Sequence, residues 1–369
     1  ELRGYYWEMV NKMDFNLGVL DGTLQALQLQ RYDQHRFGAQ AIYRDQLDAL
    51  NTRWALEYSQ DSQGVDEATF DVRANSGALL QQGHDVQEGI DRRIDSLVFE
   101  AQTDLPDPRW QLVWGARQDN YSDFGHQRSP RAGLLFQPLP EHTFKLLYSE
   151  AFRAPCGTEM KGNAGLVLEN PNLQPEITDT IELIWLRQQP GSATQLSLFD
   201  SRWHNGIVTI ADTNTGTFTY QNQENNRSHG ITARHRARWQ QWELDAGGSW
   251  VKSRNETLNQ DYTAFPRYQF NLGIGYLAPS LRTDFFLQQR LMLDQDAAVQ
   301  GQGESTRQRL PHYWRTDLSA LWHVQPSLEA ELAVLNLFDR GNRFPSITNI
   351  GGVNDLPFSL SAGLRYRWD

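Results

Sequence analysis

Apolar and polar residues alternate singly through much of this chain, most cleanly near its end. Phe358, Leu360, Ala362, Leu364, Tyr366 and Trp368 fall on one face, and Ser359, Ser361, Gly363, Arg365 and Arg367 on the other. A strict period of two predicts a β-strand with one apolar and one wet face. Trp314, Thr316, Leu318, Ala320, Trp322 and Val324 against Arg315, Asp317, Ser319, Leu321 and His323 repeat the pattern. So do Tyr268, Phe270, Leu272, Ile274 and Tyr276 against Gln269, Asn271, Gly273 and Gly275. Ile231, Ala233, Ala237 and Trp239 oppose Thr232, Arg234, Arg236 and Arg238, with His235 a polar interruption on the apolar side. A helical repeat would mix these faces. Several segments run about ten residues, the length a tilted strand needs to cross a bilayer.

The connections alternate as well. Short ones at Asp104–Arg109, Pro138–His142, Gln188–Ala193, Gln240–Gln241, Leu277–Leu281 and Val324–Ser327 mostly carry proline or glycine, as tight turns do. Between them fall long polar stretches: Asn120–Ser129, Arg153–Glu176, Gly206–Ser228, Ser253–Phe265, Asp294–Leu310 and Asp339–Leu356. Short turns on one side and long loops on the other predict an all-β, transmembrane antiparallel β-barrel of about 19–22 strands, with about 19 placed by alternation. Trp110, Trp239, Trp242, Trp314, Trp322 and Trp368 lie near the predicted strand ends, where interfacial aromatic girdles sit. With short turns periplasmic, the segment Phe144 to Ala151 runs outward. The loop from Arg153 and those carrying Gly162 and Gly301 are then external, and Gln325 is periplasmic.

Composition narrows the remaining classes. A formal charge of −11 makes the chain a poor partner for nucleic acid. Its one cysteine allows neither an internal disulfide nor a cysteine-based zinc site. No apolar run approaches the roughly 18 residues of a membrane helix, which leaves strands as the means of crossing. The opening Glu1-Leu2-Arg3-Gly4 does not read as a signal peptide, and a mature chain or a fragment is expected; no catalytic motif of the GxSxG, P-loop, HExxH or GxGxxG kind occurs, so no enzyme is expected.

Short motifs then add a resemblance. "LLYSEAFRAP" (Leu146 to Pro155) followed by "ENPNLQPEITDTIEL" (Glu169 to Leu183) resembles the FRAP and NPxL boxes of TonB-dependent outer-membrane receptors. "SPRAGLLFQP" (Ser129 to Pro138) resembles that family's upstream SPR strand. "AVLNLFDR" (Ala333 to Arg340) and "LSAGLRYRW" (Leu360 to Trp368) resemble its penultimate and closing strands, although Asp369 follows the terminal aromatic here. The matches stand in family order from about Arg117 to the end, and upstream of that only the alternation supports them. The resemblance implies a receptor in the outer membrane of a Gram-negative bacterium, among lipid and lipopolysaccharide, energised by the inner-membrane TonB complex acting through a plug. The family's barrel has 22 strands. Neither TonB box nor plug is found, and "GYYWEMVNKMDFNLGVL" reads at once as strand, so residues 1–369 are expected to be a barrel incomplete at its N-terminus. A plug-free passive pore or structural barrel is the alternative, and a soluble β-rich binding protein stands behind both.

Within this frame Phe152 ends a strand at the interface, Arg153 leaves the apolar zone and Pro155 stops strand pairing. The external loops from Arg153 and from Gly206 offer Arg153, Glu159, Lys161, Tyr220 and Arg227, with Trp203 just at their edge, as candidate ligand contacts. Cations suit an anionic chelate and rings its flatter parts. Arg153 and Glu159 could equally pair to pin the loop. In the resembled family, haem receptors carry a histidine between the two boxes. None stands between Cys156 and Glu169 here, which favours a siderophore or similar iron chelate, with Cys156 the residue to watch for haem. Arg234, Arg236, Arg365 and Arg367 are expected to face the lumen, since charge on the lipid face is costly. Glu329 and Glu331 share a face and are expected to line it beside arginines. His229 and His235 are too few for a metal site, Asp294, Asp296 and Glu304 lack EF-hand spacing, and no cofactor or metal is expected.

Overall fold

The computed structural model describes residues 1–16, 19–20, 23–24, 26–163, 167–212, 217–262, 265–300, 305–346 and 351–368. Gly301 and Glu304 lie outside the described residues. The chain is strand almost throughout, and its principal sheet counts nineteen strands among the described residues. The one α-helix among them has five residues, Gly157–Lys161. The chain clusters into two compact units, residues 1–134, 148–179 and 203–225 in the first and residues 135–147, 180–202 and 226–369 in the second.

In the first unit, Leu2–Asn16, Ala26–Leu47, Thr52–Ala74, Asp91–Asp104 and Trp110–Tyr121 pair antiparallel, each with the next. Register sorts their side chains. Tyr43, Leu56 and Phe99 stand in one row and Ala41, Tyr58 and Leu97 in the next. Arg36, Gln63 and Arg92 share a row on the other face. Asp66 is an extra residue between Val65 and Glu67, a bulge that shifts the register at Asp33 and Gln34.

The second unit carries a meander of residues 226–239, Trp242–Asn255, Tyr268–Ala278, Thr283–Leu293, Tyr313–Gln325, Leu328–Leu335 and Ser359–Tyr366. One face is a stack of apolar rows, such as Ala237, Leu244, Ile274, Leu287, Leu318, Val334 and Leu360. Aromatic residues close both edges of that stack. Trp239, Trp242, Tyr276 and Phe285 form one row; Trp250 and Tyr268 form another, with Phe270 and Trp314 one row inside it. The step from Trp242 to Trp250 is roughly 26 Å along the strand at 3.3 Å per residue. Along a strand tilted by about 40° this is a height of roughly 20 Å, most of the apolar band of about 25 Å that a membrane barrel carries between aromatic girdles. His235 interrupts the middle of the band and is satisfied there by the Thr194 hydroxyl at 2.9 Å.

The short connections behave as tight turns. Gly191 (φ 77°) and Gln240 (φ 52°) occupy the left-handed region in two-residue turns. Asn51 and Arg282 do the same after the 3₁₀ turns Asp48–Leu50 and Pro279–Leu281. The long stretches differ from expectation. Much of Gly206–Ser228 belongs to the strands Ser192–Asp212 and Thr217–Trp239, and Asn120–Ser129 is mostly strand as well. These extensions do not alternate singly: residues 206–212 read Gly-Ile-Val-Thr-Ile-Ala-Asp and residues 221–228 are polar on both faces, so a period of two has no contrast to reveal them.

Candidate functional site

The strand His142–Arg153 ends where its sequence says it should, and its last residues are fixed from several sides. Pro155 is fully buried, and its carbonyl accepts a hydrogen bond from the Arg92 guanidinium at 2.8 Å. Arg92 also grips Asp123 at 2.6 Å and lies 5.6 Å from the ring centres of Tyr121 and Phe124. A guanidinium buried this far needs its fork filled, and here a carboxylate, a carbonyl and two ring faces fill it.

Arg153 works as a staple. Its two terminal nitrogens donate to the Glu159 carboxylate at 2.9 Å each, and its Nε donates to Glu176. Glu159 also accepts the Cys156 N–H at 2.8 Å, which caps the short helix, and Glu176 accepts the Ile207 N–H at 2.8 Å. One arginine thus joins the beginning of the loop, its helix and its return strand. Burial pushes the Glu159 carboxyl up, but the Arg153 guanidinium and the Cys156 N–H outweigh it and hold the group below the usual carboxylate range. Burial pushes the neighbouring Cys156 thiol up.

The second box secures the rest of the loop. Asn170 accepts the Asn172 N–H at 3.1 Å in a local turn and donates to the Tyr220 carbonyl at 2.7 Å. Its own N–H donates to the Met160 carbonyl at 3.0 Å. Leu173 is buried, and Asn222 donates to the carbonyls of Gln174 and Asn205. Gly162 ends the helix at φ 77°, and any side chain there would collide with the Val167 carbonyl. Between this loop and the wall lies a cavity of about 430 Å³, lined among others by Trp7, Gln63, Ile90, Arg92, Met160 and Lys161. Lys161 is exposed, and its ammonium has no ion-pair partner among the described residues.

Of the candidate contacts, Arg153 and Glu159 pair with each other, Lys161 lies on the same short helix, and Tyr220 joins them through its carbonyl. Trp203 lays its indole against Gly206, where a β-carbon would not fit. Arg227 belongs to the second unit and is held bidentate by Asp200 at 2.7 and 2.9 Å. Arg234 forks onto Asp245, with Arg236 3.9 Å from the same carboxylate. Arg365 and Arg367 reach Glu329 at 3.3 and 3.6 Å, and His323 lies 3.5 Å from it. Glu331 stands opposite Gly363 in the register. His229 packs edge-on to Trp250. Asp294 is taken by Arg267 and Arg309, and Asp296 lies 3.7 Å from Arg309. Sequence reasoning missed Arg92 and Asp123, and it quoted Asn170 as part of the second box without a role for its side chain. Arg92 takes its purpose from Asp123 and from the distant Pro155, neither of which its own strand reveals.

The family model described as "TonB dependent receptor-like, beta-barrel" matches residues 2–337. The chain is 24% identical over 247 residues to the vitamin B12 transporter BtuB of Vibrio cholerae, covering 63% of this chain and 36% of that one. It therefore spans about a third of the length of that curated relative. Among solved structures it is similar to the siderophore receptor PirA from Acinetobacter baumannii (TM-score 0.73, 17% identity, covering 99% of this chain and 59% of that chain). It is also similar to the copper transporter OprC (TM-score 0.75, 12% identity, covering 99% of this chain and 61% of that chain).

Proposed function

This chain belongs to the TonB dependent receptor-like, beta-barrel family, and we propose that it forms the barrel of an outer-membrane receptor that captures a scarce, chelated nutrient. The cargo class proposed is a ferric siderophore or similar anionic iron chelate. A plug carried outside residues 1–369 would couple capture to the TonB complex of the inner membrane. The apolar rows face lipid and lipopolysaccharide acyl chains; the polar rows, with Arg234, Arg236, Arg365 and Arg367, face the lumen.

One observation carries the reading: the loop 153–176 is fastened at both ends over a cavity that keeps an unpaired lysine at its rim. In this reading Arg153 and Glu159 hold the mouth in shape, Tyr220 ties its far side, and Lys161 meets the anionic ligand. Trp203 is the proposed aromatic contact of the same unit, and Arg227, whose guanidinium Asp200 holds, is proposed as a separate cationic contact. Relatives support the class, since PirA is a siderophore receptor. They leave the cargo open, since BtuB carries vitamin B12 and OprC copper.

The test is tryptophan-fluorescence titration of the detergent-purified protein with a ferric catecholate and a ferric hydroxamate. Lys161→Ala is expected to weaken binding about tenfold, or 1.4 kcal/mol, without changing the fold. Equal affinity in the folded variant would remove Lys161 from the site. No binding of either probe, together with steady conductance in planar bilayers, would replace uptake by the passive-pore reading.

A further inference from the structure

The polar face of the second unit contains a hollow that the mouth does not explain. In the register, Arg234 faces Gly247, Gly247 faces Asn271, Asn271 faces Arg290 and Arg290 faces Arg315. One row on, Asp245 faces Gly273 and Gly273 faces Gln288. Two adjacent positions without side chains leave a depression of about 640 Å³ bordered by Arg234, Asn271, Gln288, Arg290 and Arg315.

The charges around it are unevenly satisfied. Arg234 is held by Asp245. Arg315 is held by Asp317 at 2.8 Å and Asp355 at 3.0 Å. Arg290 is exposed, and its guanidinium has neither a carboxylate nor a hydrogen-bond partner among the described residues. It stands directly opposite Arg315, whose charge Asp317 and Asp355 already neutralise, so Arg290 keeps the one open fork among these three arginines. A guanidinium presents a planar fork of N–H donors matched to carboxylate and phosphate oxygens. The amides of Asn271 and Gln288 add neutral donors at the same rim.

We propose that this hollow binds a small oxyanion, a carboxylate or a phosphate, with Arg290 as its charged anchor and the Gly247–Gly273 floor as the space it fills. It shares no residue with the mouth around Lys161, so either site can fail without the other.

Arginine modification by phenylglyoxal, read residue by residue by mass spectrometry on the detergent-purified chain, tests this. Arg290 is expected to react freely and to be protected about tenfold by citrate or inorganic phosphate at ten times its dissociation constant. The stronger protector distinguishes carboxylate from phosphate, and the exposed turn residue Arg282 should be protected by neither. Gly247→Leu should abolish the protection while Arg290 stays reactive. Should that variant not fold, Arg290→Gln should eliminate the heat of citrate and phosphate binding in calorimetry. Failure of both anions to protect Arg290, equal protection of Arg282, or undiminished binding heat in Arg290→Gln would overturn the proposal.

Discussion

Arg92 donates to the main-chain carbonyl of Pro155 across sixty-three residues of sequence, at 2.8 Å. The bond joins a strand of the wall to the first turn of the loop that follows the strand His142–Arg153. Arg92→Ala would leave a buried carbonyl and Asp123 without their partner, a loss of about 1–3 kcal/mol. Because the loop and not the sheet depends on it, hydrogen exchange at residues 156–163 should accelerate at least tenfold. The strand amides should keep their protection. Uniform acceleration across the sheet would show instead that Arg92 supports the barrel wall.

Acid should open the same loop. Glu159 is held below its ordinary value of 4.5 when folded. A released loop therefore takes up the proton more readily. The pair's contribution is complete above the ordinary carboxylate value and is lost as pH falls through the lower, folded one. Limited proteolysis at the 156–163 segment should increase below about pH 4.5 and not between pH 6 and 8. Glu159→Gln should be cleaved readily at every pH. A wild-type loop equally resistant at pH 3 would exclude Glu159 as its fastening.

The membrane face is tested by a neighbouring pair. Leu287 stands in an apolar row with Ile274 and Leu318, while Gln288 points to the other face directly opposite Asp317. Leu287→Arg should cost on the order of 2–4 kcal/mol near the bilayer midplane. Gln288→Arg gains an opposite charge and should be tolerated. Urea unfolding in lipid vesicles reads both, and the reverse order would invert the assignment of faces.

Much of this was legible in advance, and the reason is physical. Where one face of a strand meets hydrocarbon and the other water, each residue must declare its side, and Tyr268 to Tyr276 or Phe358 to Trp368 do so without error. Beyond the aromatic rows water lies on both sides, and the long strands there looked like loops. The boxes around Arg153 and Asn170 were visible as text, but their task was not. Arg153 could equally have been a ligand contact, and only the positions of Glu159 and Glu176 make it a staple. Arg92, one of two consecutive arginines at the start of its strand, announced nothing.

Orientation can be read with the protein's own cysteine. Cys156 is exposed at the start of the fastened loop, and burial of its surroundings holds the thiol protonated to higher pH than usual. A membrane-impermeant maleimide should label it on intact cells, slowly at neutral pH and faster above pH 9. Gln325→Cys in a Cys156→Ser background should stay unlabelled. Gly162 is unsuitable as a reporter, because a side chain there would strike the Val167 carbonyl. Labelling at Gln325 and not at Cys156 would turn the proposed topology over.

The Thr52–Ala74 strand has twenty-three residues, about twice what a membrane crossing requires. In the orientation proposed, its surplus of a dozen residues, at 3.3 Å each along a strand tilted by about 45°, lifts the turn after Ala74 roughly 28 Å beyond the lipid boundary. Fixed surface charge is felt over only about 8 Å in physiological salt. A solute arriving at that turn meets ordinary electrolyte, outside the repulsion an anionic headgroup layer exerts on an anionic guest. The long hairpins would thus work as a stand-off, making first contact where the ionic atmosphere has already erased the membrane's sign.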